Sequence, residues 1–170
     1  EGLLERFNAV APDSDLVVFS DFNYGCLPQP LVEELITVGH EHGVMLAADS
    51  QSSSQVGDVS RFKGMHLLTP TEHEARLSLR NHEDGLVVLA EKLREESQAK
   101  NMILKLGAEG VLLHFEISEG LVETDRIPAL NLSPRDSIGA GDALLVVSSM
   151  ALVVGSTPWE AAYLGSIAAA

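Results

Sequence analysis

The heptapeptide DSIGAGD, residues 136–142, places two carboxylates around a glycine-rich turn at the start of a long apolar segment. Glycines let a backbone approach an anion closely, and a helix N-terminus offers unpaired N–H groups and a partial positive charge. The stretch therefore predicts an anion-binding loop with the carboxylate of Asp142 beside it. An alternative interpretation is that Asp142 is a first-turn residue favoured by the helix dipole, and the heptapeptide alone leaves both interpretations open.

Polar or glycine-containing turns follow several of the predicted strands, at Asp21, Asp49, Thr69-Pro70 and Leu106-Gly107. In open α/β sheets, ligands bind outside the carboxyl ends of the strands, where the loops converge and helix N-termini point inward. We expect Asp142 to join the same edge from its helix. Strand ends also need polar turn residues for structural reasons alone. That explains each turn separately but does not explain the glycine-rich residues 139–141, called the glycine loop below.

Short apolar runs alternate with amphipathic ones along the chain, which predicts a mainly parallel sheet covered by helices on both faces. The runs typical of strands are 15–20, 44–48, 66–69, 102–106, 111–116 and 121–127. The runs typical of helices are 28–43, 71–79, 86–98, 143–154 and a last segment from Pro158. The strands 102–106 and 111–116 are joined by GAEG, which suggests a hairpin. The apolar run 143–154 is expected in the core.

Composition narrows the class of protein. A chain of 170 residues with 45% hydrophobic and 21% charged residues is long enough for one globular domain. Its net charge of −14 repels phosphate backbones and anionic lipid, so neither nucleic acid nor a membrane surface is expected as a partner. The single cysteine, Cys26, excludes an internal disulfide and predicts a reducing, cytoplasmic location. The six histidines lack the spacing of metal ligands, and surface positions are expected for them.

Several stretches, which follow one another along the chain in the family's order, resemble the ribokinase-like (PfkB-type) carbohydrate kinases. DSIGAGD is similar to the family signature D-T-x-G-A-G-D, TPTEHEA (69–75) to T-P-N-x-x-E, and LKLGAEGVLL (104–113) to a T-L-G-x-x-G hairpin. EAAYLGSIAAA (160–170) is similar to the family's nucleotide-side helix. FSDFNYGCLPQPLVEELI (19–36) also resembles the S-D-Y-x-K-G segment of the heptose-phosphate kinase branch. The resemblance covers nearly the whole chain from Asp15 onward and implies a three-layer α/β sandwich.

The resemblance also implies roles for individual residues. Asp142 would be the base that takes the proton from the sugar hydroxyl, and the N–H groups of residues 139–141 would hold the transferring phosphoryl group. Glu74 would organise Mg²⁺, through water, and Asp136 would help to order the metal or the phosphates. The residues so implied are, for the anion hole, Gly139, Ala140 and Gly141, and, for the nucleotide side, Lys105, Gly107, Gly110, Asp136 and Ser166.

Besides Ser137, which stands where threonine is usual in the signature, the chain departs from the family pattern at three positions. Thr71 replaces the asparagine of T-P-N-x-x-E, and Tyr24 stands where the heptose-kinase branch has lysine. Lys105 replaces a threonine of the hairpin, and its cation could serve a phosphate or lie on the surface. The family's glycine-rich sugar-binding segment and its lid are not found in these residues. We therefore expect residues 1–170 to be a single, partial domain that corresponds to the C-terminal, nucleotide-side portion of such a kinase.

The sequence as a whole predicts a kinase that transfers the γ-phosphoryl group of ATP to a hydroxyl of a sugar or sugar phosphate. Heptose 7-phosphate is the most specific substrate that the resemblance suggests. The alternative is a non-catalytic nucleotide-binding or regulatory module that keeps the fold. Asp142 favours the enzyme, whereas Thr71 and the unmatched half of the family domain favour the module. A homodimer is compatible with the sequence but is not specified by it.

Overall fold

A computed structural model describes residues 2–51, 57–118, 120–131 and 138–170. The chain is an α/β protein in which single elements alternate at first and pairs of helices and groups of strands follow. The helices are α1 (Leu3–Val10), α2 (Gln29–Glu41), α3 (Glu72–Leu79), α4 (Leu86–Ser97), α5 (Ala140–Val153) and α6 (Pro158–Ala168). The strands are β1 (Leu16–Asp21), β2 (Met45–Ser50), β3 (Leu67–Leu68), β4 (Asn101–Lys105), β5 (Val111–Ser118) and β6 (Leu121–Ile127).

The strands form one sheet in the order of the sequence, from β1 to β6. Strands β1 to β4 pair in parallel, and β4, β5 and β6 pair antiparallel. The hairpin predicted around GAEG is confirmed, because Lys105 is paired with Val111 across a short 3₁₀ turn. The parallel part places the carboxyl ends of four successive strands along one edge of the sheet.

Successive residues of each strand contribute to two separate cores. Leu46 and Leu68 pack into a core that contains buried residues of α2 and α4. Ala47 and Leu67, one position away along the same strands, pack with α5 and α6 instead. This alternation is what a sheet covered on both faces requires, and it confirms the predicted three-layer sandwich.

Several element bounds differ from those predicted. Strand β3 has only two residues, because the chain leaves the ladder at Thr69-Pro70, where proline has no N–H to donate. Helix α1 was not predicted. It buries none of its own residues fully, although Leu4 and Phe7 pack against the core. Helix α5 begins at Ala140, inside the glycine loop rather than after it.

The expectation that the whole apolar run 143–154 lies in the core is wrong. Leu144 and Leu145 are buried, whereas Val146, Met150 and Val154 are 42%, 56% and 81% exposed. A helix turns about 100° per residue, so a single contact with a sheet covers only one of its faces. Helix α5 is apolar on its outer face as well. Among the described residues, no helix is long and apolar enough to cross a membrane.

Surface positions were expected for all the histidines, and His114 contradicts this. Its ring lies buried on β5, where Nδ1 is 2.7 Å from the hydroxyl oxygen of Thr124 and Nε2 contacts the carboxylate of Glu91. Burial of an imidazole is possible here because both ring nitrogens have partners. The histidine ties β5 to β6 and to α4, which is a structural role.

The close contact between α5 and α6 provides a test of the packing. A Cβ atom at Gly165 would lie 2.1 Å from the hydroxyl oxygen of Ser148 and 2.9 Å from the carbonyl oxygen of Leu144. We expect Gly165→Ala to lower the free energy of unfolding by about 1–3 kcal/mol, as overpacking does, despite the better helix propensity of alanine. Urea denaturation followed by circular dichroism measures this change.

Gly39→Ala in α2 is the matched control. A Cβ atom there would meet only the side chain of Leu46, at 2.7 Å from its Cδ2 atom, and the end of a leucine can move aside. The control should lose less stability than Gly165→Ala. Equal losses in the two variants would contradict the proposed close packing of α5 on α6.

Candidate active site

Polar side chains gather where the parallel strands end, as the turn residues predicted. Asp21 ends β1 and Asp49 lies one residue before the end of β2, and both are buried, with 4% and 2% exposure. Thr69 follows β3 and is fully buried, and Lys105 ends β4. These four residues come from four neighbouring strands. Their location therefore follows from the parallel topology rather than from any local motif.

A buried ion pair joins two of these strand ends. The ammonium of Lys105 lies 2.5 Å from Oδ2 of Asp49, and the two side chains are only 16% and 2% exposed. A Cβ atom at Gly141 would lie 3.3 Å from the same ammonium, so the lysine head reaches the glycine loop. The alternative that Lys105 is a surface residue is therefore wrong. The lysine connects β4, β2 and the start of α5.

Burial changes the acidity of Asp49. Desolvation raises the pKa of this carboxyl group to about 6, and the nearby carboxylate of Glu74 acts in the same direction. The ammonium of Lys105 opposes this shift, both by its charge and by its hydrogen bond. A carboxylate that remains hard to ionise beside a lysine lies in a strongly desolvated position, which is typical of ligand sites.

Glu74 takes part in a helix cap at the start of α3. Its backbone N–H donates to the hydroxyl of Thr71, and its carboxylate oxygen Oε2 accepts from the N–H of Thr71 at 2.7 Å. This reciprocal pair is a capping box, so the capping role of Glu74 is real. Its side chain is buried and acts on Asp49 through its charge.

Two of the three departures from the family pattern are neighbours in space. Thr71 pairs with Lys105 in an isolated parallel bridge, and the N–H of Lys105 donates to the carbonyl of Pro70 at 2.8 Å. Thr71 supplies the capping hydroxyl described above. The third departure, Tyr24, is 83% exposed.

The glycine loop starts α5 in the manner that an anion site requires. Gly139 is the N-cap residue with φ +80°, a left-handed conformation that glycine adopts without strain, and Ala140 and Gly141 are the first helical residues. The first N–H groups of a helix have no acceptor within the helix, so they face outward at this end. The loop is thus a set of donors beside the Lys105 ammonium.

Asp142 lies in the first turn of α5 without capping it. Within the described residues it forms no capping bond to Gly139, and its Oδ1 accepts from the hydroxyl of Ser20 on β1 at 3.4 Å. The capping interpretation therefore reduces to an interaction with the helix dipole. The contact with Ser20 places the carboxylate at the same sheet edge as Asp49, which is paired with Ser20 in the β1–β2 register.

The remaining predicted residues have mainly structural contacts or lie elsewhere. Asp136 lies outside the described residues. Gly110 has φ +92°, and a Cβ atom there would lie 2.1 Å from the carbonyl oxygen of Ile127, so the hairpin needs glycine. Gly107 has φ +59° with open space around it. The hydroxyl of Ser166 donates to the carbonyl of Ala162 on its own helix, and no described contact joins it to the ion pair.

Three residues of this edge were not assigned a role from the sequence. The sequence predicts Asp49 and Thr69 only as strand-end turn residues, and Ser20 only as part of a longer stretch. The position of Asp49 directly after an apolar run was the available signal. Nothing in the sequence indicated its pairing with Lys105, which is 56 residues away.

The FSDFNYG stretch (19–25) forms the end of β1 and the loop that follows it, beside a cavity. Asp21 accepts from the guanidinium of Arg61 at 2.6 Å and from the N–H of Asn23 at 3.0 Å. Beside them is a cavity of about 450 Å³ whose described lining includes Arg80 and Ser78 but not Asp142. The carboxylate of Asp21 therefore joins the loop after β1, through Asn23, to Arg61, which follows β2.

The oxygen ligands at the sheet edge fit a hard cation such as Mg²⁺. Asp49 and Glu74 are two buried carboxylates, and Glu74 is close enough to act on Asp49 through its charge. The Thr69 hydroxyl is buried without a hydrogen-bond partner in the described chain. No three acidic, histidine or cysteine side chains among the described residues are arranged as a complete metal site. Mg²⁺ commonly uses one or two carboxylates and completes its shell with phosphates and water, so the residues fit a metal that is shared with a nucleotide.

Comparison with known proteins gives consistent matches over the whole chain. The sequence profile described as "pfkB family carbohydrate kinase" matches residues 3–170. The bifunctional protein HldE of Shewanella piezotolerans is 30% identical over 171 residues, which are 99% of this chain and 34% of that protein. The chain therefore spans about a third of the length of this relative.

Solved structures give the same fold. Phosphofructokinase-2 from Escherichia coli, in complex with potassium, superposes with a TM-score of 0.79 at 15% identity and covers 98% of this chain and 54% of its own. Ribokinase from Arabidopsis thaliana, complexed with ribose and ATP, gives 0.78 at 16% identity and covers 97% and 51%. At these identities the likeness concerns the fold alone.

The environment of Asp49 can be tested by its titration. Lys105→Met should raise the pKa of Asp49 above about 6, because the ammonium favours the ionised carboxylate. Glu74→Gln should lower the pKa, because a neighbouring negative charge disfavours ionisation. NMR titration of the aspartate carboxyl carbons measures both, with Asp49→Asn to assign the resonance. Shifts of the same sign in the two variants would contradict the geometry.

Proposed function

The chain belongs to the pfkB family of carbohydrate kinases, and on that premise we propose that it transfers the γ-phosphoryl group of ATP to a hydroxyl of a sugar or sugar phosphate. The observation that carries the proposal is the meeting of three groups at one sheet edge. These are the glycine loop at the start of α5, the uncapped carboxylate of Asp142 and the buried ammonium of Lys105. A donor loop, a base and a cation are what phosphoryl transfer requires.

Asp142 is the proposed base. Its carboxylate lies in the first turn of α5, and the hydroxyl of Ser20 donates to one of its oxygens. Such a carboxylate takes the proton from the sugar hydroxyl as the hydroxyl oxygen attacks phosphorus. A capping residue would instead have its oxygens bound to the helix N–H groups.

The loop and the lysine are the proposed phosphate ligands. The N–H groups of Gly139, Ala140 and Gly141 supply donors for the equatorial oxygens of the transferring phosphoryl group. The ammonium of Lys105 reaches the same place from β4. Gly107 and Gly110 shape the hairpin beside it, and we expect Asp136 and Ser166 to serve the phosphates and the nucleotide.

Glu74, with Asp49 beside it, is the proposed carboxylate for Mg²⁺. When bound, Mg²⁺ would neutralise charge on the nucleotide phosphates. The carboxylate of Glu74 is already oriented by its bond from the N–H of Thr71, so little side-chain freedom remains to be lost. The described residues supply too few ligands for a complete cage, which is why we propose that the metal arrives with the nucleotide.

Heptose 7-phosphate is the proposed substrate. Its support is the FSDFNYG stretch (19–25), which begins in β1, and the match to the bifunctional protein HldE. Tyr24, in the place of the lysine of that branch, is the main difference.

A single cysteine, Cys26, is compatible with the reducing cytoplasm, where we propose that the enzyme acts.

Asp142→Asn tests the catalytic role. Asparagine keeps the shape and can still accept from Ser20, but it cannot take a proton. Turnover should fall by roughly 10²–10⁴, with nucleotide affinity nearly unchanged. The assay follows ADP release with heptose 7-phosphate and other sugar phosphates, using the longest form of the protein that its source makes.

Asp125→Asn is the control, because Asp125 is an exposed aspartate on β6, far along the sheet from β1. It should leave turnover at the wild-type rate. Wild-type turnover in Asp142→Asn would reject the kinase mechanism. Nucleotide binding without transfer in the wild-type protein would favour the non-catalytic module instead.

Glu74→Gln separates metal binding from capping. Glutamine also completes a capping box, so the free energy of unfolding should change little, by less than about 0.5 kcal/mol. The affinity for ATP in the presence of Mg²⁺ should fall by at least about tenfold, because a charged ligand near the metal is lost. Calorimetry and thermal unfolding on the same variant measure the two quantities. Unchanged ATP affinity in this variant would leave Glu74 with its capping role alone.

A further inference from the structure

The ammonium of Lys105 lies in an unusual place for a positive charge. It is close to Gly141, in the first turn of α5, where the helix dipole is also positive. A cation at a helix N-terminus is repelled unless an anion lies between or beside the two. In this structure the anion is Asp49, at 2.5 Å from the ammonium.

The ion pair is also costly on its own. Both side chains are largely removed from water, and a buried pair seldom contributes net stability, because desolvation offsets the attraction. Glu74, a second buried carboxylate, lies close enough to act on Asp49 through its charge. Any phosphate that enters the loop would attract the same ammonium.

We propose that Lys105 is the exchangeable counter-cation of the Asp49–Glu74 carboxylate pair. Without a nucleotide, the ammonium of Lys105 is paired with the carboxylate of Asp49. When the phosphates of a nucleotide reach the loop, the ammonium moves onto them, and Asp49 becomes a ligand for the divalent cation. Lys105 thereby makes metal binding depend on the nucleotide. This inference rests on the proposed nucleotide site. It concerns the order in which the Lys105 ammonium and the divalent cation bind to the carboxylate of Asp49.

Two further observations support the exchange. The hydroxyl of Thr69, between the ends of β2 and β4, is fully buried and has no hydrogen-bond partner within the described chain, so a polar ligand at this edge would give it one. The backbone of Lys105 is fixed by its N–H bond to Pro70 and its pairing with Thr71. Only the flexible four-carbon side chain therefore has to move.

The first arm of the test measures Mn²⁺ binding without nucleotide, by electron paramagnetic resonance. Lys105→Met should bind Mn²⁺ at least tenfold more tightly than the wild-type protein, because Asp49 is no longer occupied. The double variant Lys105→Met with Asp49→Asn should lose this gain. Lys100→Met is the matched control, since it removes the same charge from an exposed position just before β4 and should leave Mn²⁺ affinity unchanged.

The second arm measures ATP binding in EDTA by calorimetry. Lys105→Met should weaken metal-free ATP binding at least tenfold, whereas Lys100→Met should not. The exchange requires both results. It is overturned if Lys105→Met binds Mn²⁺ no more tightly than Lys100→Met does. It is also overturned if Lys105→Met binds metal-free ATP as tightly as the wild-type protein does. Lys105→Gln, checked by circular dichroism, replaces the methionine variant if that variant does not fold.

The outcome is independent of the kinase assay. The Mn²⁺ arm needs neither nucleotide nor turnover, so its failure removes the exchange and leaves the roles of Asp142 and the glycine loop intact. Conversely, wild-type turnover in Asp142→Asn removes the kinase mechanism without affecting tighter Mn²⁺ binding in Lys105→Met.

Discussion

Parallel pairing of β1 to β4 is the constraint on which the site depends. Each of these strands runs in the same direction, so each chain segment must cross over a face of the sheet before the next strand begins, and all four carboxyl ends meet at one edge. The ends carry Asp21, Asp49, Thr69 and Lys105. Asp49 and Lys105 are 56 residues apart in the sequence, and their ion pair exists only because the ladder holds its register.

The helix layers supply the other half of the arrangement. Two apolar residues of α5, Leu144 and Leu145, anchor that helix on the sheet, and this fixes where its N-terminus lies. Gly139 lets the chain enter the helix in a left-handed conformation, and Gly141 leaves room for the head of Lys105. A side chain at position 141 would crowd the ammonium. The glycines of the loop therefore serve both the helix start and the access of a cation.

The Lys105–Asp49 pair makes this edge of the sheet electrostatically different from an ordinary polar surface. Burial raises the pKa of Asp49 to about 6 even with the ammonium beside it, so desolvation outweighs the attraction. Removing either partner leaves an uncompensated charge, which costs more than the pair contributes. Both residues are thus held in place by each other, and a ligand that offers new partners to either one changes the balance of the whole edge.

The sequence by itself determined the periodic elements, the three-layer α/β fold and the glycine loop with Asp142, because these depend on local spacing of apolar residues and glycines. It also located Glu74 at a helix start. It missed helix α1, and it overestimated the burial of 143–154, since periodicity cannot tell which face of an apolar helix meets the sheet. Tertiary structure alone decided the partners of the charges: Asp49 for Lys105, 56 residues away, and Ser20 for Asp142, 122 residues away. Such pairs are set by strand register and helix docking, and no local pattern of residues encodes them.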